Sequence, residues 1–265
     1  MEKLIITIAP TNTKWFKKDN PNMPETPAEI ADDVIKAYHE GAAIAHIHAR
    51  DENGRESFKI EHFRQIVDRI RDETDMIIQP STAGSSASYK EKLIPIKELK
   101  SDMASLNIRG SNEEIEYNAE FMKDHGIIPI IEAFDLGMIE KANRLIEKGL
   151  VEQPAHFELV FDLEGENGKP LLNDIDELSK RVKAIWPGSI WSRNRGAHNQ
   201  YQLDAMTIML GGHIRVGLED NLYYSEGRHA DDSAMFVKRT KKLCEVLGRG
   251  VASVDEARHL LEPRA

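Results

Sequence analysis

His46 and His48 lie two positions apart behind the apolar run Ala42–Ala45. In an extended strand alternate side chains share a face, so both imidazoles point the same way. Two neutral imidazoles so placed can ligate one metal ion such as Zn2+, although His-x-His alone also describes many unrelated strand edges. A third ligand has to come from a distant segment. The stretch GGHIRVGLEDN (Gly211–Asn221) offers Arg215, Glu219 and Asp220. Arg215 and Glu219 have the same parity and face the same way if the strand stays extended. Glu219 then completes a His-His-Glu set with open positions for substrate oxygens. Asp220 beside Arg215 makes a charge pair able to accept a proton, and a carboxylate held by a guanidinium is expected to have a low pKa. His213 is a rival ligand, but it opens its strand and is expected to sit too deep.

Other segments supply polar groups at comparable places. QPSTAG puts Ser81, Thr82 and Gly84 where hydroxyls and backbone N–H groups can hold a carboxylate. ASLN offers Ser105 and Asn107, and Glu132 interrupts the apolar run IIPIIEAF, where an ionised carboxylate needs a pocket or a partner. WSRNRGAHNQ concentrates Arg193, Arg195 and His198 in an acidic chain, a patch suited to a phosphorylated cosubstrate. Each of these also has a plain reading as turn chemistry or a solvated loop.

The elements that must position them are short β-branched runs separated by amphipathic stretches. Strands are expected at LIITIA from Leu4, AIAHIH from Ala43, MIIQPS from Met76 and MASLNI from Met103. Four more follow at IIPIIEAF from Ile127, HFELVFD from His156, SIWSRN from Ser189 and HIRVGLED from His213. Helical period covers 27–40, 61–73, 113–124, 136–148, 174–184, 202–210 and 233–247, while Pro95 weakens 89–99. Thr26-Pro27-Ala28-Glu29 reads as a capping box with Pro in the first turn. Gly41 and Gly149 stand where left-handed C-caps belong. Alternation of this kind predicts either a closed (β/α)8 TIM barrel or an open doubly wound sheet. The length of 265 residues suits one barrel domain over 1–265, and APTNTKW has no glycine for a Rossmann turn. The candidate residues then gather at the C-terminal ends of the strands, where barrel active sites lie.

Net charge of −10 argues against a nucleic-acid partner. The single cysteine, Cys244, permits no internal disulfide and is expected to pack. MEKLIITIAP lacks the apolar core of a signal peptide, and no run approaches membrane-spanning length, so a soluble cytoplasmic protein without a membrane partner is expected.

Taken together, LIITIAPT with TPAEI, HIHARDENGR, QPSTAG, MASLN and GGHIRVGLEDN with the aromatic pair after it resemble the β-keto acid cleavage enzymes, essentially end to end. The resemblance implies a zinc-dependent (β/α)8 barrel, usually a homotetramer, that exchanges a β-keto acid with acetyl-CoA to give acetoacetate and a new acyl-CoA. By position it makes His46, His48 and Glu219 the metal ligands, and Arg215 with Asp220 the dyad that removes the α-proton. Ser81, its neighbour Thr82, Ser105 and Glu132 become substrate contacts, and the Arg193–Arg195–His198 loop the CoA contact. Three positions depart from the pattern. Ser105 stands where a relative has Thr, and His198 where relatives often have Arg. Lys14, in TNTKW, stands where a member acting on an amino-bearing keto acid has Glu, so the substrate tail here is expected to be neutral or anionic, as in a dicarboxylate. A metal-dependent hydrolase or aldolase without CoA, and a non-catalytic barrel sensor, are the alternatives.

Overall fold

The structure is a computed structural model and describes residues 2–161, 172–195 and 200–262. In chain order the strands begin with β1 (Ile6–Ile8), β2 (Ile44–Ile47), β3 (Ala49–Arg50), β4 (Glu56–Ser57), β5 (Ile77–Pro80) and β6 (Met103–Asn107). They continue with β7 (Ile128–Ala133), β8 (His156–Val160), β9 (Ile190–Asn194), β10 (His213–Val216), β11 (Tyr223–Ser225) and β12 (Arg228–His229). The helices are α1 (Pro27–Glu40), α2 (Ile60–Glu73), α3 (Tyr89–Glu98), α4 (Asn112–Asp124) and α5 (Leu136–Glu147), then α6 (Leu172–Ile185), α7 (Gln200–Met209), α8 (Ala234–Val246) and α9 (Val254–Leu261).

Eight strands pair in parallel in the order β5-β2-β1-β10-β9-β8-β7-β6, and the two end strands lie side by side. This is the expected (β/α)8 barrel, each strand taking its place because a helix returns the chain to the same end. At the β5–β6 seam, side chains tie the edges together. Ile78 N–H donates to Asp102 Oδ2 at 2.9 Å, and Thr82 Oγ1 donates to the Ser105 carbonyl at 2.8 Å.

Local chemistry accounts for the helix ends. Thr26 and Glu29 form the capping box of α1, and Gly41 closes it at φ 114°. A second capping box, Ser88 with Glu91, starts α3 and carries it through Pro95, against the weak reading of its pattern. Helix α9, which apolar period did not mark out, starts from a box of the same kind, Ser253 with Glu256, as α4 does from Ser111 with Glu114. It plugs the N-terminal end of the barrel, where Val254, Ala257 and Leu261 pack with Ile5, Ile44, Ile77 and Met103. The rest of the core is two crescents between sheet and helices, one around β1, β2 and β10 and the other around β6 to β8. Cys244 is buried in the first crescent, which raises its thiol pKa to about 11 and suits packing rather than nucleophilic attack.

His156 and His213 are buried at this plugged end. His156 Nε2 donates to the Leu261 carbonyl at 3.2 Å, and His213 Nδ1 accepts from Ile5 N–H at 2.8 Å. Burial pushes His156 down to about 4 and His213 to about 3. The unfolded imidazole titrates near 6.5, so both groups contribute stability at neutral pH that is lost as pH falls from 6.5 toward 4 and 3. Urea unfolding should show this acid-side loss, roughly 3 kcal/mol from His156 alone, and His156→Gln, which keeps a donor for Leu261, should flatten the slope.

Candidate metal and substrate site

A cavity of about 630 Å3 opens at the C-terminal face of the barrel, and it is here that the segments separated in sequence meet. His46 lies in β2 and His48 directly follows it, both imidazoles on the cavity wall with ring centroids 5.2 Å apart. Glu219 arrives differently from the extended reading. β10 ends at Val216 and the chain turns at Gly217, φ 144°, with Asp220 and Asn221 N–H both donating to the Gly217 carbonyl at 3.0 Å. The Glu219 backbone is then fixed from both sides: its N–H donates to the Ala9 carbonyl at 3.0 Å, and its carbonyl accepts from Asn12 Nδ2 at 2.9 Å. Alternation along a strand therefore does not deliver the carboxylate; a glycine turn pinned to the end of β1 does. A Cβ on Gly217 would stand 2.1 Å from the Ala9 oxygen, so nothing larger fits.

The ligand set is coherent. His46 Nε2 lies 3.6 Å from Glu219 Oε2, and His48 Nε2 lies 3.5 Å from Glu219 Oε1. Those separations are too long for hydrogen bonds, yet a tetrahedral cation with bonds of ~2.1 Å holds its ligand atoms about 3.4 Å apart. His46 Nδ1 and Glu219 Oε2 are buried without a hydrogen-bond partner. Burial, then the nearby Arg215 charge, pushes His46 well below its ordinary pKa, leaving the neutral imidazole that ligation requires. For Glu219 burial acts upward, but Arg215 and the two imidazoles outweigh it and hold the group far below the usual carboxylate range.

Arg215 is the hub of the site. Its Nε and Nη2 meet both oxygens of Asp220 at 2.9 and 3.1 Å, Nη2 also bonds Glu219, and Nη1 meets Glu158 Oε2 at 2.9 Å. Burial works against its charge, but Asp220, Glu158 and Glu219 more than offset this and hold its pKa well above the ordinary value. Arg195 Nε lies 3.8 Å from Asp220. Four carboxylates (Glu132, Glu158, Glu219 and Asp220) thus face two guanidinium groups. Crowding of these carboxylates in the buried interior works against their full ionisation, and burial raises Glu158 to about 8 despite its contact with Arg215. Burial raises the pKa of Glu132, opposed by Arg215 and Ser105. It raises Asp220 too, again against Arg215, which is opposite to the low value expected of an Arg-held carboxylate. The low dielectric of the barrel interior and the neighbouring Glu219 charge account for that difference.

The remaining candidates divide. Lys14, Ser81, Glu132, Arg195, Arg215 and Glu219 line the cavity. Ser105 is fully buried beneath it, and Thr82 is occupied at the β5–β6 seam. Asp220 is completely buried behind Arg215. Arg193 is also completely buried, ion-paired to Asp204 and donating to the Arg195 carbonyl, and His198 lies outside the described residues. The N–H groups of Ser85 and Ser86, after β5, donate to Glu56 Oε2 at 3.0 and 2.8 Å, which orders the loop beside Ser81.

Several contributors were not recognised in the sequence. Glu158 sits in HFELVF as Glu132 sits in IIPIIEAF, and the same signal, a lone acid in an apolar strand, marks it. Arg50, the last cation of AHIHAR, is buried under the loop after β1 and donates to the Trp15 carbonyl at 2.7 Å and to the Asn12 carbonyl. Asn12 in turn accepts from Lys14 and Trp15 N–H. Arg55 and Arg109 join Lys14 on the cavity wall, and the Arg109 guanidinium lies 3.4 Å over the Phe134 ring.

Fold and site define a (β/α)8-barrel enzyme with a buried His-His-Glu group able to hold a metal ion. A sequence model of the beta-keto acid cleavage enzymes matches residues 3–262, and the chain belongs to that family. It is 36% identical to the 3-keto-5-aminohexanoate cleavage enzyme of Fusobacterium nucleatum, with 98% of each chain covered. It is 31% identical to the 3-oxoadipate:acetyl-CoA acetyltransferase of Cupriavidus necator, covering 97% of this chain and 94% of that one. Among solved structures the apo form of ObcA superposes with a TM-score of 0.80 at 18% identity, covering 91% of this chain and 65% of ObcA, a likeness of fold. No helix among the described residues is long and apolar enough to cross a membrane.

Titration of metal-free protein with Co2+ or Zn2+ should show one tight site per chain, and His46→Ala or Glu219→Gln should weaken it by at least about 100-fold. Gly217→Ala should abolish the same binding and lower stability by roughly 2–4 kcal/mol, read by thermal melting.

Proposed function

We propose that this chain, as one barrel domain over residues 1–265, exchanges a β-keto acid with acetyl-CoA to give acetoacetate and a new acyl-CoA. The observation that carries the reading is the convergence of His46, His48 and Glu219 with Arg215 on the wall of one cavity. Similarity to curated relatives with acetyl-CoA transferase names supports it. The cation we propose is Zn2+, and when bound it supplies Lewis-acid polarisation of the keto and carboxylate oxygens, which acidifies the α-carbon.

The chain's own groups then divide the work. Ser81, which lines the cavity, is the proposed donor to the substrate carboxylate. Arg215 stays protonated and contributes fixed positive charge where the enolate develops. The α-proton goes to the Arg215–Asp220 dyad, with Asp220 as its basic member. The α-carbon then bonds the acetyl carbonyl carbon as the acetyl C–S bond breaks and CoA leaves as a thiolate. The thiolate attacks the original keto carbon, the bond from that carbon to the α-carbon breaks, and the proton held by the dyad returns to the α-carbon, giving acetoacetate and the new acyl-CoA. One specific observation favours a second acceptor: Glu132 lines the cavity, whereas Asp220 lies behind Arg215. Deuterium wash-in at the α-carbon separates the two, since the variant lacking the acceptor, Asp220→Asn or Glu132→Gln, should lose exchange by at least about 100-fold. Arg195, at the cavity edge, is the proposed CoA contact that the structure leaves accessible, because Arg193 is committed to Asp204.

Lys14, Arg55, Arg109, Arg195 and Arg215 line the cavity against Glu56, Glu132 and Glu219. That balance supports a keto acid whose tail is neutral or anionic. The 3-oxoadipate relative is consistent with it, while the more similar aminohexanoate relatives are not. A homotetrameric, cytoplasmic enzyme is proposed on the family resemblance.

With Zn2+ and acetyl-CoA, the protein should convert neutral or dicarboxylate 3-keto acids to acetoacetate and new acyl-CoA masses. Formation of products without any dependence on the thioester would point instead to a hydrolase or aldolase. Lys14→Glu should shift kcat/KM toward an amino-bearing keto acid by about 10-fold or more, roughly the worth of one close charge reversal; strong turnover of that substrate by the unmodified protein would sink the tail assignment.

A further inference from the structure

β8 carries a carboxylate that the chemistry above leaves without a role. Glu158 is 1% exposed and lies in register with Glu132 on one side and Ser192 on the other. It is absent from the wall of the large cavity and borders instead a small void of about 30 Å3 beneath it, together with Thr7, Gln79, Ser192 and His213. A substrate in the upper cavity therefore does not touch it. Barrel interiors are ordinarily filled by branched apolar side chains, and a carboxylate there is costly unless a donor meets it. The donor is Nη1 of Arg215, 2.9 Å from Glu158 Oε2.

The geometry of the guanidinium gives this bond a purpose. Its five N–H groups form a rigid planar fork. Nε and Nη2 are directed to Asp220 and Glu219, and Glu158 is the carboxylate that holds the third nitrogen. Without an anchor below, only the bonds to Asp220 and Glu219 orient the fork, and Nη1, left buried without an acceptor, can turn to compete for Glu219. We propose that Glu158 is a positioning residue: by holding Nη1 of Arg215 it aims the opposite edge of the guanidinium at Asp220 and limits its grip on Glu219, leaving that carboxylate available to a metal ion. The inference uses the proposed reaction for its turnover readout, but its metal readout stands independently.

The test is a thermodynamic cycle of Glu158→Leu and Arg215→Gln, singly and together, with Glu158→Gln as the conservative variant. Zn2+ affinity is measured by competition with a chromophoric chelator. Glu158→Leu should raise the Zn2+ Kd at least about fivefold in the native background and less than about twofold in Arg215→Gln, because the effect passes through that side chain. It should also lower kcat by about 30-fold or more, with KM for acetyl-CoA within about twofold, as misorientation of a reacting group does. Glu158→Gln keeps an acceptor for Nη1 and should restore both quantities to within about threefold of the unmodified protein. Equal Kd changes in the two backgrounds, no change at all, or a Gln variant as impaired as Leu would overturn the proposal. If Glu158→Leu does not fold, Glu158→Asp, which withdraws the acceptor by one methylene, enters the same cycle with the same outcomes. A protein that makes no acetoacetate from any 3-keto acid refutes the reaction, while the Zn2+ cycle still decides the role of Glu158.

Discussion

One guanidinium, buried among three carboxylates that touch it, is the constraint on which the functional end of this barrel depends. A cation and its partners removed from water are stable only when nearly every donor and acceptor is used, and breaking one contact strands the rest. Arg215 meets that condition by spending its fork on Asp220, Glu219 and Glu158 at once. The same bonds couple the proposed proton acceptor to the carboxylate nearest the histidines, so the geometry of the one is the geometry of the other.

Around that hub the structure invests in rigidity of the backbone rather than in side-chain bulk. The Glu219 backbone is held by its N–H donating to the Ala9 carbonyl and its carbonyl accepting from Asn12, while its carboxylate is gripped by Arg215 on one side and faces the two histidines on the other. Asn12 also orders the loop that carries Lys14, and Arg50 secures that loop from beneath. A single polar network therefore fixes a proposed metal ligand and a residue on the cavity wall, which links the floor of the site to its rim. Sites supported in this way lose function when their supports shift, even if no reacting group changes.

Much of this was legible along the chain. The eight barrel strands and the shared face of the His-x-His pair follow from periodicity and alternation, and the distant Arg-x-x-x-Glu-Asp segment from ligand chemistry, all local properties. The strongest capping signal, Thr26 to Glu29, marked its helix end correctly, and Gly41 its other end. Less was legible wherever a residue's role depends on what crosses it in space. Thr82 reads as a ligand-binding hydroxyl and serves as a seam between β5 and β6. Arg193 reads as one member of an anion patch and is ion-paired to Asp204 inside the fold. Neither use has a signature in the neighbouring sequence, because the partner is brought by tertiary contact.

The sequence by itself determined the barrel and its approximate element boundaries, since hydrophobic period is written residue by residue, and it offered His46, His48 and Glu219 as a candidate ligand set that the family resemblance singled out. Tertiary structure alone decided that β10 stops at Val216, that Gly217 swings Glu219 to the histidines, and that Glu158 underlies Arg215. The physical reason is that these are consequences of closure. Only when parallel strands curl into a cylinder do side chains far apart in the chain share one low-dielectric interior, and there each charge must find its partner or not be charged.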